Sequence, residues 1–102
     1  MDQALDDKAG EADAHKEHDV AVAVITPVGV YPDEDDFRRV AESTIIEKVL
    51  QEAATKLKIT NTTDWVAKVD GRQLNVNHTF KQEHLSGIVE IEYHKHEGGG
   101  GA

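Results

Sequence analysis

One segment of this chain repeats its apolar residues with the period of an α-helix, whereas the other apolar segments are short and have strand patterns. The apolar positions of the helical segment are Ile45, Ile46, Val49, Leu50, Ala53, Ala54 and Leu57. Thr44 and Glu47 have the spacing of a capping box, in which each side chain binds a backbone N–H group at the helix start. Because a single helix has to bury its apolar stripe against a sheet, the pattern predicts a two-layer α+β fold.

Two strands are predicted before the helix. Residues 20–25 alternate valine or isoleucine with alanine, which is typical of a buried strand. Pro27, Gly29 and Pro32 predict a turn within residues 26–36. Residues 37–41 then predict a second strand, antiparallel to the first. Phe37 and Val40 fall on opposite faces of such a strand, which predicts a bulge or an early end.

Three more strands are predicted after the helix. Residues 65–69 and 72–74 flank Asp70-Gly71, a strong signal for a two-residue hairpin turn. In residues 88–94 large apolar side chains alternate with polar ones, which predicts a half-buried last strand. The polar connection before this strand contains three expected core residues: Val76, Phe80 and Leu85.

Composition limits the chain to one modest domain, because it has 102 residues of which 38% are hydrophobic. The formal net charge of −9 disfavours binding to nucleic acid and to anionic membranes. No apolar run approaches the ~20 residues of a membrane span. The chain has no cysteine, which excludes disulfides, thiol catalysis and cysteine-ligated zinc. These features predict a cytoplasmic protein whose partners are other proteins.

The two ends of the sequence differ in character from residues 19–95, the predicted domain. Residues 1–18 are rich in charge and alanine and predict a flexible acidic N-terminal arm. Residues 96–102 predict a flexible glycine-rich tail that includes Gly98, Gly99, Gly100, Gly101 and Ala102. Considered by itself, such a glycine run also fits a linker or an expression remnant.

The order of predicted elements, with a glycine run directly after the last strand, resembles the ubiquitin-like β-grasp fold over residues 20–101. Thr44-Ile45 is similar to the capped helix entry of ubiquitin, and residues 69–74 (Val-Asp-Gly-Arg-Gln-Leu) are similar to its strand–turn–strand stretch. Thr79-Phe80 and the alternation in residues 89–93 are similar to its threonine-leucine pair and its last strand. The resemblance implies a mixed four- to five-stranded sheet with one helix packed across it.

A narrower resemblance concerns bacterial ubiquitin-like proteins that are encoded beside E1-like, E2-like and deconjugating peptidase genes. It rests on Asp64-Trp65 at the start of the third strand and on the Asp70-Gly71 turn. The resemblance implies that the chain is a protein modifier and not an enzyme. It implies further that a peptidase removes Ala102, that an E1-like enzyme adenylates the Gly101 carboxylate with ATP, and that an E2-like enzyme passes it to a target. Glycines suit this chemistry because they have no side chain to obstruct a narrow active site.

The resemblance also indicates which surfaces partners contact. Lys68, Glu90 and Glu92 stand at the positions that form ubiquitin's apolar binding face, so a partner built for an apolar patch is not expected to bind here. Arg72 occupies the position of ubiquitin's best-known chain-forming lysine, which removes that linkage. His94, Lys95 and His96 lie just before the tail and are expected to present it to a partner.

Other functions have less support in the sequence than the modifier hypothesis. The histidine pairs 15/18 and 94/96 have no third and fourth ligand at metal-site spacing, so neither a metal nor a cofactor is expected. Ser86 has no nucleophile elbow and no partnered base, which argues against nucleophilic catalysis. A sulfur-carrier β-grasp protein, which forms a thiocarboxylate, is one rival, although such carriers usually end in a bare Gly-Gly. A β-grasp interaction module that is never conjugated is the other.

Overall fold

The computed structural model describes residues 18–96, which form six strands and one helix. In chain order these are β1 (Asp19–Thr26), β2 (Gly29–Tyr31), β3 (Arg38–Ala41), α1 (Ile46–Leu57), β4 (Trp65–Val69), β5 (Arg72–Gln73) and β6 (Gly87–Lys95). Apart from His18 and His96, the predicted arm (1–18) and tail (96–102) lie outside the described residues. Within residues 18–96, no helix has the length and apolar character needed to cross a membrane.

The last strand, β6, lies at the centre of a mixed sheet. It runs parallel to β1 on one side and antiparallel to β4 on the other. Strands β2 and β5 extend the sheet outward, so that the spatial order is β2-β1-β6-β4-β5, and β3 also pairs with β1. The predicted two-layer α+β architecture is confirmed, and its sheet has six strands where four to five were expected.

The additional strand arises because β1 has two antiparallel partners along the same edge. β2 pairs with the end of β1 through Val24↔Tyr31 and Thr26↔Gly29, whereas β3 pairs with its beginning through Val20↔Val40. Pro32 follows β2 directly, and proline cannot donate a hydrogen bond to a β-ladder. The predicted second strand at 37–41 is confirmed as β3, which begins one residue later at Arg38.

The core lies between α1 and the inner face of the sheet. Val20, Val22 and Val24 of β1 are at most 1% exposed, and the predicted anchor Phe80 is fully buried. The remaining buried members include Ile46, Val49, Leu50, Ala53, Ala67, Leu74, Leu85, Val89, Ile91 and Tyr93. Burial of one large aliphatic or aromatic side chain contributes about 1.5–3 kcal/mol. The alternation predicted for the last strand is confirmed, since Val89, Ile91 and Tyr93 are all buried.

The start of the helix differs from its prediction. The N-cap is Ile45, which makes no side-chain cap hydrogen bond, so the predicted capping box of Thr44 and Glu47 is wrong. The backbone N–H of Ile46 donates to the His78 carbonyl at 3.0 Å, and that of Glu47 donates to the Val76 carbonyl at 2.9 Å. The segment between β5 and β6 therefore satisfies the N–H groups that a side chain usually satisfies.

The tight turn between β4 and β5 agrees with its prediction. Val69 pairs with Arg72, and the two residues between them, Asp70 and Gly71, have φ angles of 53° and 82°. Positive φ at both central positions is the geometry that Asp-Gly favours in a two-residue hairpin. The turn brings Arg72 to the start of β5.

Candidate functional site

The end of β6 is held firmly up to the point where the tail begins. β4 pairs with β6 as far as Trp65↔Lys95, and the backbone N–H of His96 donates to the Asp64 carbonyl at 2.7 Å. On the core side, the rings of Trp65 and Tyr93 meet edge to face with their centroids 5.0 Å apart. Burial raises the pKa of the Tyr93 hydroxyl. The predicted conjugation residues Gly98, Gly99, Gly100, Gly101 and Ala102 lie outside the described residues.

The three residues expected to present the tail lie in one groove of about 590 Å³ at this end of the sheet. His94 is half-buried, Lys95 and His96 are exposed, and His94 Nδ1 lies 3.0 Å from the Lys95 carbonyl oxygen. Ile25, Thr26 and Pro27 form the opposite wall of the groove, and Glu92 also lines it. No sequence pattern marks this wall, because only the parallel pairing Ile25↔Glu92 brings it beside β6.

Thr26 fixes the turn that carries this wall. Its Oγ1 accepts a hydrogen bond from the Val28 N–H at 3.1 Å and donates one to the Gly29 carbonyl at 2.8 Å. Side-chain hydrogen bonds of this kind hold a tight turn in one conformation. Pro27 and Val28 are therefore presented at a defined place, and Val28 is 63% exposed.

The outward sheet face carries the residues expected to replace ubiquitin's apolar patch. Glu90 and Glu92 are exposed, and Lys68 is half-buried. Glu92 lies between Ile25 and Lys68, since it pairs with both across the sheet. Ile25 is 38% exposed and Ile88 is 68% exposed, so apolar side chains border the carboxylates on this face. No sequence pattern singled out these two isoleucines. The face therefore offers charged and apolar contacts together.

A buried carboxylate, that of Glu83, organises the connection between β5 and β6. Its Oε1 accepts a hydrogen bond from Arg72 Nη1 at 2.9 Å, and its Oε2 lies 2.8 Å from His78 Nδ1. The hydrogen bond to His78 lowers the pKa of Glu83, and the Arg72 guanidinium lowers it further against the opposing effect of burial. No sequence pattern distinguished Glu83 from the exposed acidic residues of this chain.

A second ion pair ties α1 to the interrupted edge of the sheet. Glu52 Oε1 accepts hydrogen bonds from the Tyr31 hydroxyl at 3.0 Å and from Arg38 Nε at 3.1 Å. Burial acts to raise the pKa of Glu52, but these two donors outweigh it, so the pKa is lowered. The helix thereby contacts both β2 and β3.

Metal binding has no geometric support in the described part of the chain. Among residues 18–96, no group of three or more histidine, cysteine, aspartate or glutamate side chains could hold a metal ion. His94 and His96 lie near the base of the tail, whereas His18 precedes β1 at the other end of the sheet.

Comparison with known proteins identifies the fold. No family model matches the sequence, and no curated protein sequence matches it. Among solved structures, the ubiquitin of Caldiarchaeum subterraneum superposes with a TM-score of 0.59 at 15% identity, covering 80% of this chain and 99% of that one. The fold is therefore the ubiquitin-like β-grasp, as the sequence predicted.

Two further structures support the same assignment. A de novo designed protein based on ubiquitin has a TM-score of 0.61 at 15% identity, covering 82% of this chain and 96% of the design. The N-terminal ubiquitin-like domain of the 4931431F19Rik protein has a TM-score of 0.57 at 16% identity, covering 84% and 85% of the two chains. At these identities the likeness defines the fold, and function has to be argued from the site.

Proposed function

We propose that the chain is a ubiquitin-like protein modifier that other enzymes process, activate and attach to a target. One observation carries the proposal: the central strand β6 is anchored through His96 and is followed within two residues by the glycine run 98–101. A folded domain whose fixed last strand leads in sequence to a glycine run, which has no side chains, suits a modifier. The chain is then a substrate and not an enzyme, and it works in the cytoplasm of a bacterial cell.

The proposed chemistry takes place at Gly101. A peptidase hydrolyses the Gly101–Ala102 peptide bond with one water molecule, which gives the Gly101 carboxylate and free alanine. In an E1-like enzyme, a carboxylate oxygen attacks the α-phosphorus of ATP, forming an acyl-adenylate and releasing pyrophosphate. A thiol of the E2-like enzyme then takes the acyl group as a thioester, which releases AMP. A nucleophile on the target attacks the thioester carbonyl, and the thiol leaves.

The described surface supports protein partners for these steps. The groove at the base of the tail presents His94, Lys95 and His96 beside apolar residues. The outward sheet face presents Lys68, Glu90 and Glu92 together with the exposed side chains of Ile25 and Ile88. A mixed surface of this kind favours partners with complementary charges over partners that bind purely apolar patches.

Intact mass spectrometry of the chain from its native host tests the proposal. A tag at the N-terminus leaves the other end untouched, and the chain is purified under denaturing conditions that inactivate deconjugating enzymes. We expect one species that has lost a single alanine residue and others that carry an additional protein. The matched control is a double variant, Gly100→Val with Gly101→Val, which should show neither species.

Other outcomes separate the alternative functions. A sulfur-sized mass increase at Gly101, without attached proteins, identifies a sulfur carrier and contradicts conjugation. If the chain is never modified, and if its cellular function survives deletion of residues 98–102, the chain is an interaction module. That result contradicts the proposal.

A further inference from the structure

In the part of the chain that the structure describes, α1 covers one face of the sheet and leaves the outward face open. Ile25 and Ile88 are exposed there, by 38% and 68% respectively. Each alternates along its strand with a core residue, Val24 in β1 and Val89 in β6. Both isoleucine side chains therefore point away from α1, into solvent.

A shallow groove, the alanine groove, follows β1 on this outward face. Its floor is Ala21 and Ala23, which alternate with the buried valines of the strand. Ala21 pairs with Arg39 of β3 on one side and with Ile88 of β6 on the other, and Ala23 pairs with Glu90. These larger neighbours shield the alanines, which are only 4% and 6% exposed although they face outward. The large side chain of Ile88 thus stands directly beside a low part of the surface.

The two sides of the alanine groove carry opposite charges. Arg39 lies on the β3 side and Glu90 on the β6 side, and both are exposed. Within residues 18–96 the ion pairs involve the cations Arg38, Arg72 and His78, and neither Arg39 nor Glu90 takes part in one. Both charges are therefore accessible to another molecule that approaches this face.

The arrangement is complementary to itself. In a face-to-face pair of copies related by a twofold axis along the strands, the two sides of β1 exchange places. Ile88 of each copy can then lie over the alanine groove of the other, which also brings each Glu90 beside the Arg39 of the other copy. A chain of net charge −9 repels its own copies, so a contact between them requires cations opposite carboxylates.

We infer that two copies of this chain associate through the outward face of the sheet, with Ile88 in the alanine groove and Glu90 paired with Arg39 in both directions. The inference concerns the unconjugated chain and requires none of the enzymes of the proposed function. A contact between a few strand residues is smaller than the roughly 1,200 Å² of a standard interface, so we expect a dissociation constant of about 0.1 mM. A partner protein that binds Glu90 then competes with the second copy.

Sedimentation velocity of the purified full-length chain, from about 10 µM to about 1 mM, tests the inference. We expect Arg39→Glu and Glu90→Arg each to weaken association at least about tenfold, because each places like charges together at both contacts. Ile88→Asp should weaken it to a similar degree, since it puts a carboxylate into the alanine groove. The double variant, Arg39→Glu with Glu90→Arg, exchanges the two charges and should associate within about threefold of the parent chain.

A mixture of the two charge-reversed variants gives a stricter test. Each variant alone should stay monomeric. In the mixture, the carboxylates of the Arg39→Glu copy meet the cations of the Glu90→Arg copy at both contacts, so we expect a heterodimer at least as tight as the parent dimer. Loss of folded structure cannot produce this recovery.

Matched controls lie on α1, in the other layer of the fold. Lys48→Glu makes the same charge change as Arg39→Glu, and Glu47→Arg makes the same change as Glu90→Arg. Because α1 packs on the inner face of the sheet, both controls should leave the dissociation constant within about threefold of that of the parent chain. Thermal unfolding of every variant shows whether its domain is folded before association is compared.

Three results overturn the inference. One is a parent chain that stays monomeric up to about 1 mM. Another is association that survives the charge reversals, because it then occurs through a different surface. The third is a mixture of the single variants that remains monomeric, which shows that Arg39 and Glu90 do not meet. None of these results bears on the proposed function, which the intact mass of the chain decides separately.

Discussion

Arg72 holds Glu83 through two groups at once: one guanidinium nitrogen binds the side-chain carboxylate at 2.9 Å and another binds the backbone carbonyl at 2.9 Å. This contact closes the connection between β5 and β6. The same connection supplies the carbonyl groups of Val76 and His78 that receive the first N–H groups of α1. The ion pair therefore supports the helix start, although neither residue belongs to the helix.

Replacement of Glu83 should make stability less sensitive to acid. Because the folded pKa of Glu83 is lowered, its contribution is present above the ordinary glutamate pKa of about 4.3 and is lost as pH falls through the folded pKa. Glu83→Gln should therefore destabilise the domain by about 1–2 kcal/mol at pH 7. The difference from the parent chain should shrink toward pH 3.

Denaturant unfolding at several pH values measures this effect. Glu90→Gln makes the same charge change at an exposed residue, and it should shift stability by less than about 0.5 kcal/mol at pH 7. A difference between Glu83→Gln and the parent that stays constant from pH 7 to pH 3 contradicts the assigned role of the ion pair.

The two phenylalanines of the chain should respond very differently to truncation. Phe80 is fully buried in the core, so Phe80→Ala should cost about 3–5 kcal/mol, or prevent folding at 37 °C. Phe37 is 38% exposed and precedes β3, so the same chemical change there should cost about 1 kcal/mol or less. The midpoints of urea unfolding give the loss of stability in each variant. Similar losses at both positions show that the assigned core is wrong.

Removal of the Thr44 hydroxyl tests whether a side chain caps the helix start, as predicted, or backbone carbonyl groups do, as the structure shows. Loss of a side-chain cap typically costs about 1 kcal/mol. Because the Glu47 N–H already binds the Val76 carbonyl, Thr44→Val should cost less than about 0.5 kcal/mol. Asn75→Ala should cost more, since the Asn75 side chain accepts the Asn77 N–H at 3.0 Å within the capping segment. Thermal unfolding temperatures rank the stabilities of the two variants. A larger loss of stability for Thr44→Val than for Asn75→Ala favours the capping box.

Loss of the Thr26 hydroxyl should loosen the β1–β2 turn. Thr26→Val keeps the shape of the side chain but removes both of its hydrogen bonds, and should cost about 1–2 kcal/mol. Amide exchange at Val28 should accelerate more than exchange in β4, because the Val28 N–H loses its acceptor. Thr63→Val, at an exposed residue, is the control, and unchanged exchange at Val28 contradicts the role given to Thr26.

Elements with a clear period were predictable from the sequence, because one buried face imposes that period. The stripe of α1, the alternation of β6 and the Asp70-Gly71 turn each carry a local signal of this kind. β2 does not, since its three residues lie between Pro27 and Pro32 and have the composition of a turn. The start of α1 was mispredicted because backbone groups from a distant segment replaced a local side chain.

Only one side of the candidate site could be predicted from the sequence, for a related reason. His94, Lys95 and His96 are adjacent to the glycine run and could be chosen from their position alone. Ile25 and Pro27 lie about seventy residues earlier, and only the parallel register of β1 with β6 brings them to the same groove. A contact that depends on the register of distant strands leaves no local pattern.

The central position of β6 also has a consequence for biosynthesis. Among the described strands, β6 alone joins the β1, β2 and β3 group to the β4–β5 hairpin, and it is the last of them to be translated. A nascent or truncated chain that stops before Gly87 lacks the strand that joins these two parts of the sheet, together with the core residues Val89, Ile91 and Tyr93. Such a chain remains open to chaperones and proteases. The ribosome must therefore finish β6, the strand nearest the glycine run, before the sheet can close, so folding of the domain depends on nearly completed synthesis.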